Sequence, residues 1–428
     1  MSGAIAVPGD KSISHRSLML SGIADGRSEV NGFLASEDCL ASLAAMRALG
    51  VRIEQPAGTR VVIHGVGLRG LSGARHALDM GNAGTAMRLF TGLLSAQAFD
   101  SQLIGDSSLM KRPMERVAKP LREMGADVRT REGTPPVDIG GGRSLRGIEY
   151  RMPVASAQVK SAILLAALYA DAATTVISPA INRDHSERML QSCGVHLHTD
   201  GLRTTLHPPA RLANQQLNVP GDFSSAAFFI VAGLLGATAQ GLLIQNVGLN
   251  PTRTGLLDIL RSMGAQIDIC NLRESGSEPL ADLLVRASVL RGIEVPPGLV
   301  PLSIDEIPVL FIAAACASGE TVVTGAEELR VKESDRIAAM SAGLRALGVR
   351  HEVLPDGMRI EGRDEGPAFQ GGCIDSFGDH RIAMSFSIAS LRAARPITIL
   401  DVANVATSFP GFIEVARSVG LGVHELGD

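Results

Sequence analysis

The chain has 428 residues, 45% hydrophobic and 20% charged, with a net charge of −4 and a pI near 6.2. No basic excess exists to grip nucleic acid, and two Tyr with no Trp leave little for base-stacking platforms. The apolar runs near 162–170 and 226–239 are too short for a membrane span. Five scattered cysteines (Cys39, Cys193, Cys270, Cys316, Cys373) form no CxxC pair and make an odd count, which suits reduced thiols rather than a disulfide framework. The first residues have neither the apolar core of a signal peptide nor transit-peptide character, so a soluble cytoplasmic protein is expected.

The first polar motif, PGDKSISHR (8–16), gathers Lys11, Ser12, Ser14, His15 and Arg16 at a helix start. Hydroxyls, backbone N–H groups and two cations there suit an anion; a solvated cap is the competing reading. At 46–54, MRALGVRIE reads as a helix end, a glycine and an alternating strand. The same pattern returns at 121–129, 190–198, 260–268, 344–352 and 416–424, with glycines at 50, 125, 194, 264, 348 and 420. Six α/β units of about 70 residues grouped in threes would make two domains of ordinary size. Gly-Asp pairs at 9–10, 105–106, 221–222 and 378–379 each precede a helical run, where Asp can cap.

Between these lie further polar clusters. MGNAGTAMR (80–88) turns into a helix with Asn82 and Thr85 as donors. GDSSLMKRPM (105–114) sets Arg112 in extended backbone before Pro113. PVASAQVKS (153–161) puts Ser156, Gln158 and Lys160 ahead of an apolar helix, and AINRDHSERML (180–190) adds Arg183 and His185. SIDEIPVL (303–310) sets Asp305-Glu306 in an apolar region, as a general base or a helix N-cap. LRVKESDR (329–336) concentrates Arg330, Lys332, Glu333, Asp335 and Arg336, either for protonation beside a bound anion or as a salt-bridged helix face. FGDHRIAMSF (377–386) brings Asp379, His380 and Arg381 to a helix start. Only five basic residues are Lys, among them Lys11 and Lys332, where a compact charge able to shed its proton differs from guanidinium. Cys193, His196 and His198 have a spacing that strand alternation already explains, so no metal site is expected, and no GxxxxGK[ST] or GxGxxG loop supports a nucleotide fold.

PGDKSISHR, GNAGTAMR, KRPM, RVKESDR and GDHRIAMSF, in that order and spread over the chain, closely resemble the signature blocks of the 5-enolpyruvylshikimate-3-phosphate synthase family. The resemblance implies an α/β (α+β) fold of two similar domains, each of three βαβαββ units, with the chain crossing between them twice. One domain would join 1–9 to 221–428 and the other would span 10–220, with the active site in a cleft that closes on substrate. It implies enolpyruvyl transfer from phosphoenolpyruvate to shikimate 3-phosphate by a cytoplasmic monomer, without metal or organic cofactor. Lys11, Ser12, Arg16, Ser156, Ala157, Gln158, Arg183, Asp305 and Lys332 match shikimate 3-phosphate contacts. Lys11, Asn82, Gly84, Thr85, Arg112, Gln158, Arg336, His380 and Arg381 match the phosphoenolpyruvate pocket. Asp305 matches the carboxylate near the attacking hydroxyl, Lys332 a lysine bridging the substrates, and Glu333 or Lys11 the donor to the methylene. Ala157, and Thr407 where other members have Lys, are similar to a second branch of the family. The related UDP-N-acetylglucosamine enolpyruvyl transferases mostly use a loop cysteine near the residue matching Arg112, and 105–114 contain none. A non-catalytic anion-binding repeat protein would leave the carboxylates without a role.

Overall fold

The computed structural model describes residues 1–426. All six repeat glycines have positive φ, from 81° at Gly348 to 103° at Gly125. Each ends a helix in the same way: the glycine N–H returns to a carbonyl three residues back, and the next residue's N–H to one five back, as in Val51 to Met46 and Leu421 to Ala416. This double bond pattern satisfies helix-end carbonyls and needs a left-handed residue. A side chain braces five of these corners. Arg47, Arg122, Gln191, Arg261 and Arg417, three residues before the glycine, each donate to the carbonyl three residues after it.

Five of the six expected strands follow, beginning at Arg52, Asp127, Leu197, Gln266 and His351. The sixth does not form. Residues 421–426 pair with no strand; their backbone folds back, with Val423 N–H on Leu421 O and Val423 O taken by Arg417. Alternation specifies a strand only where a neighbour accepts its hydrogen bonds.

The chain divides into two compact units, 9–219 with 275–278, and 1–8 with 220–274 and 279–428. The chain thus passes between units at 274–275 and 278–279 as well as near 8–9 and 219–220, where the resemblance implied two crossings. In the first unit, Gln216–Asn218 lies parallel to Asp25–Asn31, which continues into the antiparallel strands Arg60–Val66 and Arg52–Ala57. Two more four-stranded sheets repeat this plan. In the second unit, Gly3–Ala6 pairs parallel with Leu242–Gly248.

Three buried helices run through the core of each unit. They are Lys11–Gly22, Gly84–Leu94 and Ala157–Ala167 in one, and Phe223–Gly236, Ile307–Ala315 and His380–Ala389 in the other. A helix apolar on every face belongs inside, and Phe223–Gly236 is such a helix. Close approach needs small residues: a Cβ on Gly92 would stand 2.1 Å from Ala162 O. More polar helices, such as Glu115–Glu123 and Arg336–Ala346, lie partly exposed.

Candidate active-site clusters

Most of the polar motifs sit at the N-terminal ends of the buried helices, while those at 105–114 and 329–336 lead into the partly exposed Glu115–Glu123 and Arg336–Ala346. Asp10 accepts from Ile13 N, Asp222 from Ser225 N and Asp379 from Arg381 N, each at 2.9 Å. Asp106 takes the N–H groups of Ser108 and Leu109. Asp10, Asp222 and Asp379 therefore cap, as their positions suggested, whereas Ser108 stands at the head of Leu109–Lys111.

In the unit built on 9–219, Lys11 Nζ lies 2.9 Å from Asp38 Oδ2. Arg16, one turn on, is buried. Its Nε donates to Ser186 Oγ at 2.7 Å, Nη2 to Ser161 Oγ at 2.8 Å and Nη1 to Ser12 O at 2.9 Å. Burial lowers the Arg16 value to about 10. Between Lys11 and Arg16 in sequence, His15 is wholly buried against Ser42 Oγ, and burial drives its imidazole from 6.5 to about 3, so it is neutral. Cys39 nearby has its thiol raised by burial and is inert.

A second group adjoins Gly84. Arg112 Nη2 donates to Asn82 Oδ1 at 2.5 Å, and Asn82 Nδ2 to Asp106 Oδ2 at 2.7 Å. Arg88 donates to Gln158 Oε1, while Gln158 Nε2 reaches Thr85 Oγ1 at 2.9 Å. The Ser156 hydroxyl caps the helix that Ala157 begins, accepting from Val159 N at 3.4 Å. Arg183 lies close enough for its charge to act on Arg16. Lys160 is buried and ion-paired with buried Glu187.

In the other unit the cluster centres on Arg336, which is 1% exposed. Its Nε donates to Asp379 Oδ2 at 2.8 Å, Nη2 to Glu333 Oε2 at 2.5 Å and Nη1 to Asp305 Oδ1 at 3.3 Å. Burial would lower the guanidinium value, but the Asp379, Glu333 and Asp305 carboxylates raise it above the ordinary range. Burial likewise works to raise Asp379, and Arg336 overrides it, holding the carboxyl below its usual value. Lys332 Nζ stands 3.8 Å and Arg381 Nη2 3.9 Å from the Asp305 carboxylate, and Arg381 Nη1 donates to Asp305 O at 2.9 Å. Three cationic side chains thus surround Asp305. It is not a helix cap: that position belongs to Glu306, whose side chain bonds Ser224 instead. His380 opens the next helix and is buried.

The sequence reading named one partner in most of these contacts and missed the other. Asp38, Ser161, Ser186 and Glu187 did not stand out in the sequence, whereas Arg88 and Glu306 did, as members of MGNAGTAMR and SIDEIPVL. A charge or hydroxyl inside an apolar helix was the available signal. The cavity of about 330 Å³ lined by Arg75, His76, Asp100, Gln102, Arg129 and Asp138 includes none of the site residues.

Among the described residues no helix is long and apolar enough to cross a membrane, and no group of His, Cys, Asp and Glu is arranged to hold a metal ion. The family model for EPSP synthase (3-phosphoshikimate 1-carboxyvinyltransferase) matches residues 1–416. A 3-phosphoshikimate 1-carboxyvinyltransferase of Methylococcus capsulatus is 58% identical over 424 residues, 99% of this chain and 96% of the relative. One from Acidithiobacillus ferrooxidans is 55% identical over 98% of this chain and 96% of its own length. A solved EPSP synthase structure from Acinetobacter baumannii superposes with a TM-score of 0.89 at 53% identity, covering 98% of this chain and 96% of that one. With whole-length matches of this kind and the family's motifs at its helix starts, the chain belongs to the EPSP synthase family.

Proposed function

We propose that the protein catalyses one reaction, to which its polar clusters contribute. It transfers the enolpyruvyl group of phosphoenolpyruvate to the 5-hydroxyl of shikimate 3-phosphate and releases phosphate. The observation that carries this is the setting of Asp305, a carboxylate at the head of an apolar helix with Lys332, Arg336 and Arg381 all within 3.9 Å. Cations so placed suit the phosphate and carboxylate of an incoming substrate. Asp305 is the carboxylate that takes the hydroxyl proton.

Glu333 or Lys11 delivers a proton to the methylene carbon, leaving the neighbouring carbon cation-like. The 5-hydroxyl oxygen adds there while Asp305 takes its proton, giving a tetrahedral ketal. Loss of phosphate and of a methyl proton restores the enol ether. Asn82, Gly84, Thr85, Arg112, Arg336, His380 and Arg381 hold phosphoenolpyruvate. Ser12, Arg16, Ser156, Ala157, Gln158, Arg183 and Lys332 hold shikimate 3-phosphate, with Lys11 meeting both. Preorganised cations stabilise the departing phosphate without reorganising. The buried free thiols Cys39, Cys193 and Cys316 suit a reducing, cytoplasmic setting, and a monomer is the proposed assembly.

Phosphate release measured with each substrate alone and with both tests this function. Release only with both is expected, and Lys11→Ala or Arg112→Ala should remove most of it without unfolding the protein. Normal turnover in either variant would remove that residue from the site.

A further inference from the structure

Arg16 and Arg336 are both buried, but their partners differ in kind. Arg336 lies among three carboxylates, whereas Arg16 gives its three hydrogen bonds to neutral oxygens: Ser186 Oγ, Ser161 Oγ and Ser12 O. The two hydroxyls come from separate helices, Ala157–Ala167 and His185–Ser192, and are joined to each other at 2.7 Å. The residues next to them, Lys160 and Glu187, form a buried ion pair between the same helices. The nearby Glu187 carboxylate pairs with lysine and acts on Arg16 only through space, as do Asp10 and Glu278, while the oxygens bonded to the guanidinium are serine hydroxyls and a backbone carbonyl.

A guanidinium has five donors, and neutral acceptors fix its plane without cancelling its charge. We infer that Ser161 and Ser186 are positioning residues, a hydroxyl collar that aims Arg16 while reserving its positive charge for an anionic group of shikimate 3-phosphate. The inference rests on the reading of Arg16 as a shikimate 3-phosphate contact. It predicts that a carboxylate in the collar is worse than a neutral amide of the same size. Either can accept from Arg16, but only the carboxylate neutralises it.

The test compares Ser186→Asp with Ser186→Asn, reading shikimate 3-phosphate affinity by calorimetry, steady-state kinetics and melting temperature. Ser186→Asp is expected to bind at least about tenfold more weakly than Ser186→Asn, the scale of one charge-assisted contact. The KM for shikimate 3-phosphate should rise in step, with kcat changed less than about threefold, as for loss of uniform binding. Ser186→Thr, which keeps the hydroxyl, should restore affinity. Equal affinities for the Asp and Asn variants, with Arg16→Ala still weakening binding, would overturn the collar alone. Unchanged affinity in Arg16→Ala would overturn the reading of Arg16 and the collar with it. Should the Ser186 variants fail to fold, Ser161→Asp against Ser161→Asn makes the same comparison from the other helix.

Discussion

Gly84 lets the phosphoenolpyruvate pocket be tested without touching a charged residue. A Cβ there would stand 3.0 Å from Arg112 Nη1, 3.3 Å from Arg88 Nη1 and 3.5 Å from Leu109 Cδ1. The backbone needs no left-handed conformation at this position, and alanine is favoured over glycine in a helix by up to about 1 kcal/mol. Gly84→Ala should therefore leave the melting temperature unchanged or slightly raised. The added methyl instead displaces two arginine side chains by a few tenths of an ångström, and Arg112 is tied to Asn82. If Arg112 grips phosphoenolpyruvate, spoiling one charge-assisted contact costs roughly 1.5–3 kcal/mol, a 10- to 150-fold rise in its KM. Affinity for shikimate 3-phosphate should change less, because the displaced Arg88 reaches that substrate only through Gln158. Gly92, in the same helix, makes the contrast: its Cβ would meet the Ala162 backbone, which cannot swing away. Gly92→Ala should lower stability by about 1–3 kcal/mol through overpacking. Steady-state kinetics with a phosphate-release readout, calorimetry and thermal unfolding separate these effects. An unchanged KM for phosphoenolpyruvate in Gly84→Ala, or an equal loss of shikimate 3-phosphate affinity, would refute the reasoning.

Asp305→Asn should abolish attack by the 5-hydroxyl, and Glu333→Gln should slow solvent exchange of the phosphoenolpyruvate methylene protons; intact turnover with a lowered melting temperature would reduce both residues to structural ones. His15 has its folded value pushed below the unfolded one, so its contribution to stability is present above pH 6.5 and lost as pH falls towards 3. Urea unfolding at pH 7 and pH 5 should show about 2 kcal/mol more loss in the wild type than in His15→Gln, and parallel losses would contradict this. Breaking the buried Lys160–Glu187 pair with Lys160→Met should cost about 3–5 kcal/mol, and adding Glu187→Leu should recover much of it. A double variant no more stable than the single one would show that packing, not the stranded charge, sets that loss.

What was legible in the sequence was local. Gly50 and its five counterparts announce left-handed helix ends because the whole motif lies within one turn of helix. Asp10, Asp222 and Asp379 cap for the same reason. The run after Gly420 has the same local pattern but no partner strand, and alternation alone could not reveal that. The site divides in the same way. Lys11, Arg112, Asp305 and Arg336 stood out as charges at helix starts, but their partnerships span the fold, from Arg16 to Ser161 and Ser186 or from Arg336 to Asp379. Lys160 shows the limit most clearly. Its sequence context fits a solvent-seeking side chain, and only the approach of Glu187 from another helix makes burial tolerable.

The parallel pairing of Gly3–Ala6 with Leu242–Gly248 has a consequence for biosynthesis. During translation the first strand leaves the ribosome with no edge to join. Residues 9–219 emerge next, carrying nearly all of one unit's core. That unit can condense while the strand ahead of it stays unpaired until its partner is made, some tens of seconds later at about 5–20 residues per second. Ile5, buried in the finished core of the other unit, is exposed throughout that interval. The exposed edge is only four residues long, which limits the template it offers to other nascent chains.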